Sequence, residues 1–344
     1  MKNKIVTMGE LMLRLSTPDH SRFVQAQELN VNFGGGEANV AVSLANFGFE
    51  SYFVSKIPSH EIGQAAVNGL RRFGVMTDYI VRAGDRLGIY YLETGASQRA
   101  SKVIYDRANS AFTEIRKDDL NWDAVFSGAE WFHWTGITPA LGASVRESLK
   151  SACEAARRNG VTISADLNYR AKLWTTKEAQ STMVPLMEYV DFCIANEEDA
   201  EKSLGFAAPK TDVEKGKLNE EAYMDLAAKL KQKFHFKGVA ITMRESYSAS
   251  RNGWSAVLVD DRNCGTPYRS RQYDVQIVDR VGGGDSFAAG LIYGILRKND
   301  TKEALEFAVA ASCLKQTIPG DFNFVSVEEV DKLSRGSGSG RVER

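Results

Sequence analysis

The first part of the chain alternates apolar and polar positions in a way that predicts a strand, a helix, a second strand and a second helix. Residues 5–15 are rich in apolar side chains with partial alternation, which is typical of a strand. Residues 38–47 carry apolar side chains at helical spacing, residues 51–57 predict the next strand, and residues 63–73 predict the next helix. A strand–helix–strand unit needs a crossover connection, so we expect its two strands to be parallel.

From residue 130 onward, strand and helix patterns alternate regularly. Strands are predicted at 131–134, 161–165, Phe192–Ala195, 239–242, 258–259 and 273–278. Helices are predicted at 143–158, 177–190, 197–204, 221–233 and 288–296. This alternation predicts an α/β fold with a mostly parallel central sheet and helices on both faces.

A short segment in the middle of the chain departs from this alternation. Gly88–Glu93 and Lys102–Asp106 predict two short strands joined by a polar loop at 94–100, which together make a hairpin. An isolated hairpin is only marginally stable in water. We therefore expect this hairpin to pack on the main body of the protein or on another subunit.

Composition narrows the class of protein. The 344 residues are enough for one large α/β domain or two small ones, and the net charge of -1 argues against a nucleic-acid-binding surface or an anionic-membrane binder. The four cysteines form no C-x-x-C pair, which predicts free buried thiols in a reducing compartment. We find no signal core and no apolar run long enough to span a bilayer. The expectation is a soluble, cytoplasmic protein with no nucleic-acid and no membrane partner.

Three consecutive glycines at 282–284 precede Asp285 and a predicted helix. Glycines leave backbone amides open to a ligand, and a helix N-terminus adds unpaired N–H groups and a positive dipole end, which favour a phosphate. The same dipole favours the ionised form of Asp285. Phosphoryl transfer needs an anion cradle and a group that orients or deprotonates the attacking hydroxyl. The alternative is a glycine turn in which Asp285 or Ser286 only caps the helix.

Two further polar clusters follow predicted strands, at the edge of a parallel sheet where ligands collect. Asp166, Asn168 and Arg170 occupy alternate positions, so an extended chain would point them the same way. Asn196 and Asp199 follow the next strand, and capping of a helix explains them equally well. Arg170 suits a bound anion, and its alternative role is a surface arginine paired with a neighbouring acid.

The two glycine runs together indicate a family. Residues 34–39, Gly-Gly-Gly-Glu-Ala-Asn, and residues 282–287, Gly-Gly-Gly-Asp-Ser-Phe, resemble the two signature regions of the ribokinase-like (PfkB) carbohydrate kinases in order, separation and element context. Within that family, residues 88–90, 105–107 and 166–170 make the chain most similar to kinases of 2-keto-3-deoxygluconate.

The resemblance extends over about residues 4–325 and implies an overall organisation. It implies a ribokinase-like kinase domain at 1–325 with a small β lid from about 11–33 and 86–108, then a C-terminal segment at 326–344 ending in a flexible tail. The implied activity is an ATP-dependent phosphotransferase with an alcohol group of a sugar acid as acceptor. Mg²⁺ with ATP is the implied cofactor, activation by a monovalent cation is left open, and the lid implies a homo-oligomer.

The resemblance also implies roles for individual residues. Asp285 would accept the proton of the sugar's terminal hydroxyl, and the amides of residues 282–285 would form the anion hole. The implied substrate-binding residues are Gly34, Gly35, Gly36, Glu37, Ala38, Tyr90, Tyr105, Asp106, Arg107, Arg170, Asp285 and Asp321. The implied nucleotide-binding residues are Asn168, Arg170, Thr242, Arg244, Glu245, Ser246, Gly282, Gly283 and Gly284. No direct metal ligand is implied; Asn196 and Asp199, at the family's Asn-x-x-Glu motif, are candidates for contact with Mg²⁺ through water.

Two arginines bear on the chemistry of the substrate. A keto acid carries a carboxylate, and Arg107 and Arg170 offer two guanidinium groups, which a neutral sugar would not require. The alternative for Arg107 is an exposed strand residue that balances Asp106. Three other functions stay open: a kinase of a neutral sugar such as fructose or ribose, a non-catalytic nucleotide- or sugar-binding relative, and a dehydrogenase. The dehydrogenase is weakest, because the first glycine run lacks G-x-G-x-x-G spacing.

Overall fold

The computed structural model describes residues 3–207 and 220–336. In these ranges the strands are β1 (Lys4–Met8), β2 (Met12–Ser16), β3 (Asn30–Gly34), β4 (Glu50–Ile57), β5 (Ile80–Arg82), β6 (Gly88–Glu93), β7 (Lys102–Asp106), β8 (Ala129–Thr135), β9 (Thr162–Asp166), β10 (Phe192–Ala195), β11 (Gly238–Ser248), β12 (Arg251–Asp260), β13 (Tyr268–Arg269) and β14 (Tyr273–Gln276). The helices there are α1 (Gly36–Asn46), α2 (Glu61–Arg71), α3 (Trp122–Phe126), α4 (Ile137–Ala140), α5 (Ala143–Arg158), α6 (Thr176–Leu186), α7 (Glu197–Leu204), α8 (Glu220–Phe234), α9 (Gly283–Arg297), α10 (Thr301–Lys315) and α11 (Val327–Ser334).

The central sheet is mostly parallel, as predicted. Among the described residues it has ten strands in the order β13-β12-β11-β10-β9-β8-β1-β4-β5, with β14 also paired to β12. Every pair from β5 to β11 is parallel, whereas β12 runs antiparallel to β11, β13 and β14. The carboxyl ends of the parallel strands therefore meet at one edge, where loops carry functional side chains.

Helices cover both faces of this sheet because successive strand residues point in opposite directions. In β1, Val6 packs into a core that includes residues of α5, α6, α7 and α8. Its neighbour Ile5 packs into a second core that includes residues of α1, α9, α10 and α11. Both side chains are fully buried. The predicted helices on both faces are confirmed.

A second, smaller sheet has four strands in the described ranges, in the order β3-β2-β6-β7. Strands β6 and β7 are the predicted hairpin, and Tyr90 lies opposite Tyr105 in their register. Strand β2 pairs parallel to β6 and antiparallel to β3. The hairpin is therefore stabilised within its own chain by two strands that precede it in sequence.

The prediction of a single strand at 5–15 is wrong. β1 ends at Met8, β2 begins at Met12, and the two strands belong to different sheets. Gly9 lies so close to the Glu37 carboxylate that a Cβ at this position would overlap it. The pattern hides the break because Met8, Leu11 and Met12 are all buried and apolar.

Two regions extend beyond what the pattern predicted. β11 and β12 form a long antiparallel pair, and β11 continues beyond the predicted strand at 239–242 through Arg244, Glu245 and Ser246. The sequence did not predict helix α10. This helix is buried along almost its whole length, so small and apolar residues follow one another without a helical period.

The C-terminal region adds a further helix. α11 begins with a capping box in which Ser326 and Glu329 exchange hydrogen bonds, and Val330 packs against the core that contains α10. The part of the predicted tail at 337–344 lies outside the described residues.

The four cysteines are free thiols. Cys153 and Cys193 are buried as expected, whereas Cys264 is exposed and Cys313 is partly exposed. Over the described ranges, no helix combines the length and apolar character that crossing a membrane requires.

Candidate active site

A cleft of about 580 Å³ lies where residues of both sheets come together. The small sheet contributes Met12, Tyr90 and Tyr105, and the central sheet contributes residues at the ends of β9 and β10. The predicted residues that line it are Gly35, Gly36, Tyr90, Tyr105, Arg107, Asn168, Arg170, Asn196, Asp199, Thr242, Arg244, Glu245, Ser246, Gly282, Gly283, Gly284, Asp285 and Asp321. Most residues singled out from sequence therefore share one cavity.

The second glycine run opens directly onto this cleft at the start of α9. Gly282 has a left-handed backbone with φ 82°, and a Cβ there would overlap the carbonyl oxygen of Asp321. Gly284 has free space where a Cβ would be. The first N–H groups of a helix lack intrahelical acceptors, so this loop can bind an anion.

Asp285 lies in the first turn of α9, beside the open loop. Its Oδ2 accepts a hydrogen bond from Asn39 Nδ2 at 2.7 Å. Burial raises the pKa of Asp285 to about 6, while the Asn39 hydrogen bond and the charges of Arg170 and Lys315 act in the opposite direction. A carboxyl group with a pKa of about 6 is mostly ionised at neutral pH, so it can accept a proton there. Asn39 was not predicted as a site residue, although it lies in the first glycine motif.

The first glycine run is closed by its neighbours. A Cβ on Gly34 would overlap the Asp321 carboxylate, and a Cβ on Gly35 would overlap the carbonyl oxygen of Glu10. Gly36 faces the cleft, where a Cβ would lie 3.5 Å from Asp285 Oδ1. These glycines permit close packing at the base of the cleft.

Glu37 and Ala38 lie beneath the cleft and do not line it. Glu37 Oε1 accepts hydrogen bonds from the Thr135 N–H at 3.0 Å, the Thr135 hydroxyl at 2.9 Å and the Thr138 hydroxyl at 2.6 Å. Burial raises the pKa of Glu37 to about 7. Ala38 packs in the apolar core with Leu11. Neither side chain has access to a substrate in the cleft.

A buried ion-pair cluster joins the small sheet to the segments that flank the second glycine run. Arg14 Nη2 lies 2.5 Å from Asp279 Oδ2, and Arg14 Nη1 lies 2.8 Å from Asp321 Oδ1. Tyr90 donates its hydroxyl hydrogen to Asp321 Oδ2 at 2.5 Å. Burial raises the pKa of Asp321 above its usual range. Sequence reasoning missed Arg14 and Asp279; for Arg14 the signal was a charge inside an apolar strand.

The two predicted substrate arginines differ in their surroundings. Arg107 forms an ion pair with the buried Glu10, its Nε lying 2.9 Å from Oε2, and its guanidinium lies 5.6 Å from the ring centre of Tyr105. Arg170 is exposed, donates to the Tyr169 carbonyl at 3.3 Å, and forms no ion pair with any described residue. Arg170 therefore has a guanidinium available for an anionic ligand.

Asp106 points away from this cavity. Its carboxylate is half-exposed and pairs with Arg86 at 2.9 Å, and the residue does not line the cleft. The alternation of side chains along β7 explains this placement, because Tyr105 and Asp106 point to opposite faces of the sheet.

The predicted nucleotide-binding residues line the side of the cleft formed by β11 and the loop after β9. Asn168 has a left-handed backbone with φ 35°, and Glu245 accepts hydrogen bonds from Tyr247 and Gln272. Arg280, which precedes the second glycine run, donates to the Ala249 carbonyl at 3.4 Å and also lines the cleft. Burial, with a smaller contribution from the charge of Arg244, lowers the pKa of Arg280.

Asn196 and Asp199 form a reciprocal cap on α7. The Asn196 side chain accepts from the Asp199 N–H at 2.8 Å, and Asp199 accepts from the Asn196 N–H at 3.4 Å and from the Tyr169 N–H at 2.8 Å. Burial raises the pKa of Asp199 to about 6 and that of nearby Asp166 well above its usual range. No cluster of three or more acidic, histidine or cysteine side chains that could hold a metal occurs among the described residues.

An open glycine loop at a helix N-terminus, with a carboxylate beside it at the carboxyl edge of a parallel sheet, is typical of phosphoryl-transfer enzymes. The family model described as pfkB family carbohydrate kinase matches residues 2–324. The chain belongs to this family, which confirms the predicted resemblance.

Individual relatives are similar over nearly the whole chain. The solved structure of 2-dehydro-3-deoxygluconokinase from Thermotoga maritima is 53% identical with a TM-score of 0.93, covering 97% of this chain and 99% of that one. The 2-dehydro-3-deoxygalactonokinase of Haloferax volcanii is 34% identical, with 99% of each chain covered. The 2-dehydro-3-deoxygluconokinase of Bacillus subtilis is 28% identical over 96% of this chain and 94% of its own length. These similarities confirm the predicted ribokinase-like fold.

Proposed function

We propose that this protein transfers the γ-phosphoryl group of ATP to the terminal hydroxyl of 2-keto-3-deoxygluconate. The observation that carries the proposal is the pairing of two features in one cleft. Asp285 lies partly buried beside an open glycine loop, and the unpaired guanidinium of Arg170 lines the same cavity. The names of the relatives, kinases of 2-dehydro-3-deoxy sugar acids, support the same substrate class.

The reaction assigns one role to each part of the second glycine motif. Asp285 accepts the proton of the terminal hydroxyl as its oxygen forms a bond to the γ-phosphorus. The bond between that phosphorus and the β,γ-bridging oxygen breaks, and ADP leaves with the bonding electron pair. The amides of Gly282, Gly283, Gly284 and Asp285 stabilise the charge on the transferring group. Asn39 orients Asp285 and favours its ionised form.

The nucleotide is ATP, bound along Asn168, Thr242, Arg244, Glu245 and Ser246. Mg²⁺ accompanies ATP and, when bound, offsets the charge of the phosphates. Nucleotide-bound Mg²⁺ is held by one or two carboxylates together with phosphates and waters, and Asp166 at the cleft would supply such a carboxylate. Asp199 and Asn196 act through water, because their side chains already cap α7.

The substrate carboxylate binds to Arg170, and the sugar chain lies against Tyr90, Tyr105 and the backbone of Gly35 and Gly36. Arg107 contributes through its ion pair with Glu10 and its position beside Tyr105. Asp321 acts mainly by holding Tyr90 and Arg14 in place.

The small sheet acts as a lid and as the contact surface of a homo-oligomer in the cytoplasm. Val31 on β3 and Ile104 on β7 are 64% and 55% exposed. Exposed apolar side chains of this kind on one small sheet suit a second copy of the same sheet. Closure of the lid would exclude water from the transferring phosphoryl group.

Replacing Arg170 by alanine tests the substrate class. Loss of a charged hydrogen bond costs about 1.5–3 kcal/mol, so kcat/KM for 2-keto-3-deoxygluconate should fall roughly ten- to hundredfold. Rates with fructose or ribose, measured by coupled ADP release, should not change. Arg158→Ala removes an exposed arginine that pairs with Asp123 and does not line the cleft, and it should behave like the native enzyme. The sugar-acid assignment would be ruled out if the native enzyme phosphorylated only neutral sugars and Arg170→Ala left that rate unchanged.

A further inference from the structure

A lysine is fully buried immediately behind the second glycine run. Lys315 is the last residue of α10 and has no solvent exposure. Lysine is almost never buried to this degree unless its charge is compensated. The residue does not line the cleft, so it cannot contact a ligand directly. Its burial therefore needs an explanation other than substrate binding.

The contacts of Lys315 show what its ammonium group does. Nζ donates to the Asp279 carbonyl at 3.4 Å and to the Ile318 carbonyl at 3.2 Å. Asp279 precedes the glycine run by three residues, and Ile318 precedes Asp321 by the same number. A Cβ on Gly282 would lie 3.1 Å from Lys315 Cε. The side chain thus connects two segments that form the rear of the glycine loop.

The ammonium group of Lys315 also affects the balance of charge around the second glycine run. Asp279 and Asp321 are both buried close to the position where a triphosphate would bind. Arg14 pairs with both, so two acidic groups share one guanidinium. Lys315 has a pKa that burial lowers, but it also interacts electrostatically with the same two carboxylates and with Asp285, and these acids favour its charged form. It supplies the second positive charge, without which the loop would repel phosphate.

We propose that Lys315 is a cation built into the chain beneath the anion hole, which positions the glycine loop and removes the need for a dissolved monovalent cation. An ammonium held by backbone carbonyl oxygens matches K⁺ or NH₄⁺ in charge and in ligand type. The proposal rests on the proposed phosphoryl transfer at residues 282–285. Lys315 is a positioning residue, since it acts through the loop.

The test compares the native enzyme with Lys315→Met and Lys315→Ala in chloride salts of K⁺, NH₄⁺ and tetramethylammonium at equal ionic strength. The native kcat should be the same in all three salts. Lys315→Met should lower kcat about ten- to hundredfold, with a much smaller change in the KM of the sugar acid. K⁺ or NH₄⁺ should restore part of the activity of Lys315→Ala, because the small ions can enter the space that the side chain leaves, whereas tetramethylammonium should not.

Lys56→Met is the matched control. Lys56 is also buried, donates to the Glu114 carbonyl at 3.0 Å and pairs with Asp119, but it does not line the cleft or touch the glycine loop. Lys56→Met should lower the thermal stability and leave the salt response and kcat as in the native enzyme. If Lys315→Met does not fold, Lys315→Arg keeps the charge and should retain most of the activity.

Two results of the rate measurements would overturn the proposal: a native rate that rises several-fold in K⁺ or NH₄⁺, or a folded Lys315→Met with native kcat. Binding of ADP with aluminium fluoride, a mimic of the transferring phosphoryl group, separates this proposal from the proposed function. If the native protein does not act on the sugar acid, the proposed function fails. Weaker binding of this mimic by Lys315→Met than by Lys56→Met would still support the role of Lys315, and equal binding would refute it.

Discussion

The glycine runs at 34–36 and 282–284 both precede a helix and an acidic residue, yet their surroundings differ. Gly34 and Gly35 are packed against Asp321 and the backbone of Glu10, whereas Gly284 has free space toward the cleft. The acid after the first run, Glu37, points into the interior and accepts three hydrogen bonds from threonines. The acid after the second run, Asp285, lines the cleft.

This difference shows that the same local sequence can supply a framework or a reactive group. The first run lets α1 approach the base of the cleft closely enough for Asn39 to reach Asp285. The second run keeps its amides open for the anion. Burial raises the pKa of both acids, to about 7 for Glu37 and about 6 for Asp285, but of the two only Asp285 lines the cleft.

The largest effect should come from removing the proposed base, Asp285. Asp285→Asn keeps the shape of the side chain and its contact with Asn39 but cannot accept the hydroxyl proton. We expect kcat to fall by about 10²–10⁴, the usual contribution of a general base, while ATP binding stays measurable by calorimetry. Glu37→Gln is the matched variant in the other motif and should keep most of the rate. Similar losses in both variants would contradict the distinction between the two runs.

Replacing one glycine by alanine in each run should have different effects: a loss of stability in the first run and a loss of activity in the second. Gly34→Ala forces a Cβ onto the Asp321 carboxylate, and overpacking of this kind costs about 1–3 kcal/mol of unfolding free energy. Gly284→Ala meets nothing in the protein and favours the helix, so the melting temperature should hold or rise. Its methyl group would enter the anion site, and we expect kcat/KM to fall about tenfold or more. Thermal unfolding and ADP-release rates on both variants check this contrast.

The hydrogen bond from Asn39 to Asp285 should influence how activity depends on pH. Asp285 must be ionised to act as a base, so native kcat/KM should rise with pH through a midpoint near 6. Asn39→Ala removes a hydrogen bond that favours the ionised carboxylate, which should move this midpoint to higher pH and lower kcat roughly tenfold. A midpoint that stays unchanged in Asn39→Ala would show that the contact does not influence the reacting carboxylate.

The smallest effect should be a change in how stability depends on pH. The folded-state pKa of Glu37 is raised above its unfolded value, so the native state binds more protons than the unfolded state between pH about 4.5 and 7. The contribution of Glu37 to stability is complete below this range and is lost as pH rises through it. Glu37→Gln should flatten that part of the curve in urea unfolding. An unchanged slope would assign the pH dependence to other buried acids.

Several elements have the bounds that the sequence predicted. The helix at 197–204 and the hairpin strands Gly88–Glu93 and Lys102–Asp106 have the predicted bounds. Helix α10 was missed because burial on nearly every side leaves no period in its sequence. The split between β1 and β2 was missed because Gly9 is required by a contact with Glu37, a residue far along the chain.

The candidate site, too, depends on contacts between distant residues that a local sequence pattern does not predict. Short motifs identified Asp285 and Arg170, since glycine loops and strand ends have a local signature. The partners that set their properties come from distant segments. Asn39 lies 246 positions from Asp285, and Arg14 lies 307 positions from Asp321. The ion pair of Arg107 with Glu10 and the buried Lys315 likewise depend on packing that no local pattern records.

The proposed reaction is tested most directly by identifying the product of a competition experiment. ATP and Mg²⁺ are supplied with an equal mixture of 2-keto-3-deoxygluconate, fructose, ribose and gluconate. Phosphorus NMR and mass spectrometry identify which compound gains the phosphate and at which carbon. We predict phosphate on the terminal oxygen of the keto acid, formed by the native enzyme and lost in Asp285→Asn. Phosphorylation of a neutral sugar in preference to the keto acid, or an Asp285→Asn enzyme with the native rate, would contradict it.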